Sequence, residues 1–410
     1  MARFVERADA DYLTGQETVE QLGAYLATTY QRAETHLLAE IARRVAADMN
    51  TADQTARLAA IQSLRVEAAR TIAAIDSEAL ARVVVETAMR EGEAAAIEQL
   101  GFTQAAGGAT NPIKFGNGVT LPFATGITPG AALASAQIGL ELTNALDDMS
   151  ARILRFTPDV YQQTVARFAG ERLLGATTGR QAQNRAVASF LSKGITGFVD
   201  QGGRRWSVSA YTEMATRTAT NRAWLAGHTE RWDAMGLQFV TIVRGSDSCQ
   251  ACARWSGRVL SLNGITGTVE AEHATTGAPV TVEVAGTIES ARADGWNHPN
   301  CRCTLAPVFP GLSLPANDST YDPQSEKDRD RLRYLERRVR TLKQKQNIAG
   351  GLGDEFSASQ YGRSIRAEQA RIRDHVANTG QIRKPYREAL SFSAGGPTST
   401  PSVAPAAIAR

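Results

Sequence analysis

All four cysteines of this 410-residue chain fall between positions 249 and 303, in two short motifs that also carry a histidine. The first, DSCQACARWSG, places Cys249 and Cys252 in a C-x-x-C spacing that lets two thiolates turn back onto one tetrahedral ion. The second, WNHPNCRC, follows about forty-five residues later and supplies His298, Cys301 and Cys303, with Pro299 and Asn300 favouring a turn. Five candidate ligands therefore compete for the four places of a zinc ion. A catalytic zinc keeps three protein ligands and a water, whereas this ample, cysteine-rich supply suits a closed, structural site.

Two other readings of the same residues stay open. Disulfides within each motif would close tiny, strained loops; cross-pairing would close loops of about fifty residues, worth roughly 3–5 kcal/mol. A metal-free knot of reduced thiols with a hydrogen-bonded histidine is the second. Zinc, by contrast, can supply an apparent free energy on the order of 10–16 kcal/mol to a module too small to fold alone. Signatures of zinc deaminases, zinc proteases, serine hydrolases and phosphate-binding loops are missing from the chain. A Cys252–His298 nucleophilic pair has the residue types but no activating signature. A zinc-dependent nuclease or toxin-like effector would need an open metal site, with Asp247 and His298 as its acid–base groups. The expectation is that the chain is not an enzyme.

The elements that must hold these motifs are mainly helical. Val19, Leu22, Leu26, Tyr30, Ala33, Leu37, Ile41 and Val45 recur at spacings of three and four, one stripe of a helix roughly 45 Å long. Asn50 and Thr51 could cap a second helix with a stripe through Leu58, Ile61, Leu64, Ala68, Ile72 and Ile75. Asp76 or Ser77 could cap a third, carrying Leu80, Val83, Val84, Ala94 and Ile97. Residues 1–102 thus form an N-terminal helical hairpin or bundle, and 103–130 a Gly- and Pro-rich connection. A central helical domain spans 131–236, with breaks near Thr157-Pro158, Gly175 to Gly179 and DQGGRRW, and a last helix from about Val208 to Met235. Trp224 and Trp232 on that helix are expected to dock against the small module.

Residues 237–311 form the Cys/His α+β module: LQFVTIV and RVLSL read as strands, and TVEAEH and PVTVEV flank ATTGA as a hairpin. Basic C-terminal helices occupy 312–385, and a low-complexity, disordered tail 386–410. The fold class is mainly α, with one small α+β module and a basic C-terminal helix. Aromatics are only 6% of the chain, which suits helix packing better than a large β-sandwich. The longest apolar stretch, GITPGAALASAQIGLEL, is interrupted by Gln137 and Glu141 and is far short of the ~20 residues that cross a bilayer. With no apolar h-region at the start, the chain is expected to be soluble and not secreted.

Net charge is only +3, which by itself says nothing about nucleic acid. The charge is uneven, however. In DPQSEKDRDRLRYLERRVRTLKQKQN the first half pairs acids with bases, and the half from Arg337 does not. Arg337, Arg338, Arg340, Lys343 and Lys345 are candidate contacts to DNA phosphates or an acidic partner, against the alternative of a solvated face. Arg217 reads as a partner contact or as a side chain satisfied by Glu213 one turn earlier.

The run RTATNRAWLAGHTERWDAMGLQFVTIVRGSDSCQACARWSGRVLSL, with ADGWNHPNCRCTLAPVFPGLS, resembles phage minor capsid proteins. The type is minor capsid protein 2, related to phage Mu F-like head-morphogenesis proteins. The features that carry the resemblance are Arg217-Thr218, then Trp255, Gly257 and Val259 after the first Cys pair. The loop Asn300, Cys301, Arg302, Cys303 and then Pro307 and Pro310-Gly311 complete it. The resemblance implies a structural virion protein, made in the bacterial cytoplasm and built in few copies into the head interior. It further implies association with the portal protein and other head proteins, and help in assembly and in genome packaging or delivery, with no membrane or small-molecule substrate.

Overall fold

The computed structural model describes residues 15–48, 54–100, 127–173, 186–187, 198–199, 205–206, 208–244, 248–314 and 321–390. Expectations for Asn50, Thr51, Asp247, the Gly/Pro-rich connection up to residue 126, the break at Gly175 to Gly179 and the tail from 391 lie outside these residues.

Helices dominate. α1 (Gly15–Asp48), α3 (Ser77–Gln99) and α4 (Pro129–Leu173) pack around α5 (Val208–Ala234), and α2 (Gln54–Ala73) packs on α1 and α4. The α1 stripe is the core face: Leu26, Tyr30, Leu37, Ile41 and Val45 are fully buried. On α2, Ile61, Leu64 and Ala68 turn inward, but Leu58 at the first turn is 63% exposed, so that stripe starts one turn later than its spacing suggests. Asp76 caps α3, accepting from the Ala79 N–H at 2.9 Å.

Pro158 does not break the helix. α4 runs unbroken through it, with Thr157 back-bonding its hydroxyl to the Ile153 carbonyl at 2.8 Å. Proline forfeits one hydrogen bond there, and packing on both sides of a 45-residue helix outweighs that loss. The start of α4 is held from α3: the Thr128 N–H donates to the buried Glu93 carboxylate, and Thr128 Oγ1 accepts from the Ala131 N–H. Trp224 and Trp232 are buried in the interior shared by the bundle and the small module, and α3 grips both. Trp232 donates its indole N–H to the Ala96 carbonyl at 3.0 Å, and Gly92 of α3 lies directly against the Trp224 carbonyl.

Two residues each of β1 (Phe198–Val199) and β2 (Arg205–Trp206) pair antiparallel, a short ribbon that the helical reading of this stretch did not include. The α+β module follows α5. Its elements are β3 (Phe239–Val243), α6 (Gln250–Trp255), β4 (Val259–Ser261), β5 (Gly267–Glu272), β6 (Pro279–Thr287), α7 (Ile288–Ala293) and β7 (Thr304–Val308). The sheet order is β5-β6-β4-β3-β7, with β4 and β6 parallel and the other neighbours antiparallel. Alternation along β3 separates two cores. Val240 and Ile242 join the core of the helical bundle, while Phe239 packs with Val282, Val284 and Val308 on the opposite face. Module and bundle therefore share one continuous apolar interior.

α8 (Pro323–Gly351) and α9 (Glu355–Thr379) form a hairpin with its own seam of Leu332, Leu335, Val339, Ile365 and Ile372. Order continues past residue 385, because Pro385–Glu388 make a 3₁₀ turn that buries Arg387 and Glu388, so residues 386–388 are not part of a disordered tail. Among the described residues no helix is long and apolar enough to cross a membrane.

Candidate metal centre

The pairing of β3 with β7 gathers the two cysteine motifs. Val243 at the end of β3 lies opposite Thr304 at the start of β7. Cys249 and Cys252 follow β3, and Cys303 immediately precedes β7, so one antiparallel ladder brings both loops to the same end of the sheet. Cys249 is the N-cap of the short α6, and Cys252 sits in its first turn. The chain then turns back at Gly257, whose φ of +72° is left-handed, with the Ser256 hydroxyl on the Ile242 carbonyl at 3.0 Å. Asp294, just after α7, accepts from Arg254 and from the Trp255 indole, fixing α6 against α7.

All five predicted ligands converge. Cys249, Cys252 and His298 form one triad and Cys252, Cys301 and Cys303 a second, each with its donor atoms within 4.8 Å of one another and Cys252 common to both. The Cys249 sulfur lies 2.9 Å from His298 Nε2, and the sulfurs of Cys252 and Cys301 are 3.5 Å apart. All four cysteines are free thiols; three are buried and Cys249 is half-buried. Of the nucleophilic pair weighed from sequence, His298 lies within 4.8 Å of the Cys252 sulfur, but its hydrogen bond to sulfur is to Cys249.

Charge at the cluster is shared unevenly. Hydrogen bonds from Cys252 and then His298 hold the Cys249 thiol down to about 4, against burial. The Cys249 contact lifts His298 to about 9. Hydrogen bonds from Cys252 and Cys303 hold Cys301 down to about 3. Contacts with the sulfurs of Cys249, Cys301 and Cys303, and then burial, push the Cys252 thiol up. Cys303 is drawn down by Cys252 but pushed up further by Cys301 and burial. The protein's own groups thus favour thiolate at Cys249 and Cys301 and disfavour it at Cys252 and Cys303. Adding thiolate at Cys252 and Cys303 needs a buried countercharge, which a divalent ion provides. The donors are soft, crowded and shielded, and no carboxylate belongs to either triad, the donor set that favours a closed zinc site.

The second loop is held by α5, a contact that the readings of Arg217 did not include. Asn297 and Asn300 both adopt left-handed backbone, φ +57° and +65°, on either side of His298-Pro299. The Asn221 amide donates to Asn297 Oδ1 at 3.0 Å, Arg217 donates to Asn300 Oδ1 at 2.9 Å, and the Asn300 N–H donates to Thr218 Oγ1 at 3.2 Å. The guanidinium of Arg217 also binds Glu213 one turn back at 2.6 Å, as expected, but it spans both partners at once. Only the Arg-Thr pair in the resemblance hinted at this clamp.

The basic residues of α8 do not share one free face. The expectation that the half from Arg337 lacks acidic partners is corrected. Arg340 turns inward to Glu213 at 2.8 Å, and Arg338 pairs with Glu368 of α9 at 2.8 Å. Arg337 is exposed, and Lys343 and Lys345 are half-buried. Those partners lie on other elements, out of reach of any pattern local to the helix.

The family described as phage minor capsid protein 2 matches residues 16–377. A protein named "Structural protein" from Lactococcus phage LL-H is 24% identical over 238 residues, 55% of this chain, and the match spans 60% of that relative's length. No solved structure matches the chain. A family match running from α1 to α9 takes in the bundle, the Cys/His module and the basic hairpin together, and the chain belongs to the phage minor capsid protein 2 family, a structural protein of the virion head.

Proposed function

We propose that this head protein works inside the capsid at the portal vertex, as a rigid adaptor whose Cys/His module is locked by one structural zinc ion. Zinc is held by four of Cys249, Cys252, His298, Cys301 and Cys303. The observation that carries the zinc reading is the convergence of all five donors from two loops onto Cys252 at the end of one strand ladder. The ion supplies the charge that lets several thiolates share a buried site, and so joins the strand ends without a reactive centre.

Family membership supports a head component; the portal is the proposed site because long helices and a docked rigid module provide reach and a fixed binding face. Help in assembly and in genome packaging or delivery follows from that position. Arg337, Lys343 and Lys345 are the proposed contacts to packaged DNA or to an acidic partner, with Arg338 and Arg340 removed from that set by their ion pairs to Glu368 and Glu213.

Co-expression of the full chain with the cognate portal ring, with metal measured on the purified complex, tests the proposal. The expected result is a portal complex that retains about one zinc per chain and dissociates when Cys252→Ser removes the shared ligand. A chain that purifies apart from the portal, or a stable portal complex without zinc, would count against it.

A further inference from the structure

A continuous polar chain runs from the C-terminal hairpin to the metal loop. Arg340 of α8 donates to Glu213 Oε2 at 2.8 Å, Arg217 donates to Glu213 Oε1 at 2.6 Å, and Arg217 donates to Asn300 Oδ1 at 2.9 Å. Asn300 directly precedes Cys301 and stands in the left-handed region. Each link is largely shielded: the side chains of Arg217, Glu213 and Arg340 are 9, 15 and 17% exposed. Arg387 of the C-terminal 3₁₀ turn lines the same crevice as Glu213 and Arg340, against α1. The relay therefore joins α8 to α5 at the Glu213 carboxylate and α5 to the ligand loop through Arg217, with the terminal turn beside them.

We propose that Arg340, Glu213 and Arg217 are positioning residues of the metal centre, and that metal binding and docking of the α8–α9 hairpin are one coupled equilibrium. The inference rests on the zinc reading given above. Left-handed backbone at a non-glycine residue is sparsely populated and persists where its surroundings fix it. Arg217 and Thr218 fix Asn300, and so set the direction in which Cys301 leaves the loop. Arg217 keeps its fork aimed at Asn300 only while Glu213 holds its other nitrogen, and Arg340 holds Glu213 from α8. Coupling of this kind is reciprocal: what the hairpin does for the ion, the ion does for the hairpin.

The test measures zinc affinity by competition with a chromophoric chelator for the full chain, Arg340→Met and Asn300→Gly. Arg340 touches no ligand and lies on another element, so a role confined to packing would leave affinity unchanged. Glycine tolerates the left-handed backbone and keeps the N–H to Thr218, so Asn300→Gly removes only the relay's last acceptor. The expected loss is roughly fivefold to tenfold for Arg340→Met and about tenfold or more for Asn300→Gly. Hydrogen exchange supplies the reciprocal readout. Chelation should speed exchange of α8 amides in the unmodified chain, and should do so far less in Asn300→Gly. Zinc bound by the unmodified chain, with both variants within twofold of it and α8 exchange indifferent to chelator, overturns the coupling alone. A chain that binds no zinc overturns the metal reading, and the coupling with it.

Discussion

The crossing of α3 and α5 yields a prediction with a built-in control. Gly92 and Gly227 face each other's helix so closely that no side chain fits. A Cβ on Gly92 would lie 2.1 Å from the Trp224 carbonyl oxygen, and one on Gly227 would lie 2.3 Å from the Met89 carbonyl oxygen. Both obstacles are backbone, so the helices must part by on the order of an ångström. A gap of that size forfeits a quarter to a half of each contact's dispersion energy, and overpacking of this type costs about 1–3 kcal/mol, occasionally more. The separation also stretches the Trp232 indole bond to Ala96, worth about another 1 kcal/mol. Alanine's better helix propensity returns about 0.5–1 kcal/mol, so Gly92→Ala or Gly227→Ala should each destabilise by about 1–3 kcal/mol net, occasionally more. Once the helices have parted, the second methyl meets little, so the double variant should cost clearly less than the sum. Gly139 in α4 has nothing within 4 Å of its Cβ position, and Gly139→Ala should stabilise by about 0.5–1 kcal/mol. Urea unfolding of the four variants at matched slope reads all of these values. Gly92→Ala within about 0.5 kcal/mol of the parent, or strict additivity of the pair, would refute the reasoning.

Three further outcomes are expected. His228 is buried between Trp224 and Trp232, and burial holds it down to about 4 despite its bond to the Trp224 carbonyl. The unfolded imidazole takes its proton near 6.5, so stability is complete above that pH and falls by about 3 kcal/mol toward pH 4; His228→Leu should remove this dependence from the unfolding curves, and an unchanged slope would discount it. Burial raises Glu213, but Arg340 and Arg217 outweigh it and hold the carboxyl well below the usual range; Glu213→Gln leaves two shielded guanidiniums facing each other and should cost about 3–5 kcal/mol in chemical denaturation. Cys249, the half-buried thiol paired with His298, should be alkylated first by iodoacetamide after chelator treatment and be protected when zinc is restored; equal labelling in both states, read by peptide mass spectrometry, would point to a free nucleophile.

Much of this architecture can be read from residue order. The α1 stripe works because 3.6 residues per turn puts Leu26, Tyr30, Leu37 and Ile41 on one line, and nothing tertiary competes with it. The hairpin of β5 and β6 is equally local. The five ligands are legible because C-x-x-C and H-x-x-C-x-C are chemical patterns within a few residues. What stayed hidden is long-range. β7 reads TLAPV, short and with a proline, and it becomes a strand because β3 offers it a full ladder. Arg340 looked unpaired because its acid lies 127 positions away on α5. The clamp on the ligand loop depends on an arginine 83 positions before its asparagine. Glycine spacing carried no warning of the α3–α5 crossing, since Gly92 and Gly227 sit on different helices.

X-ray absorption at the zinc edge, on chain purified without added metal, tests the central claim most directly. The account predicts one four-coordinate zinc per chain, sulfur-dominated, with Zn–S near about 2.3 Å and no oxygen ligand. A chain free of zinc, or an ion that keeps a water in its first coordination sphere, would contradict it.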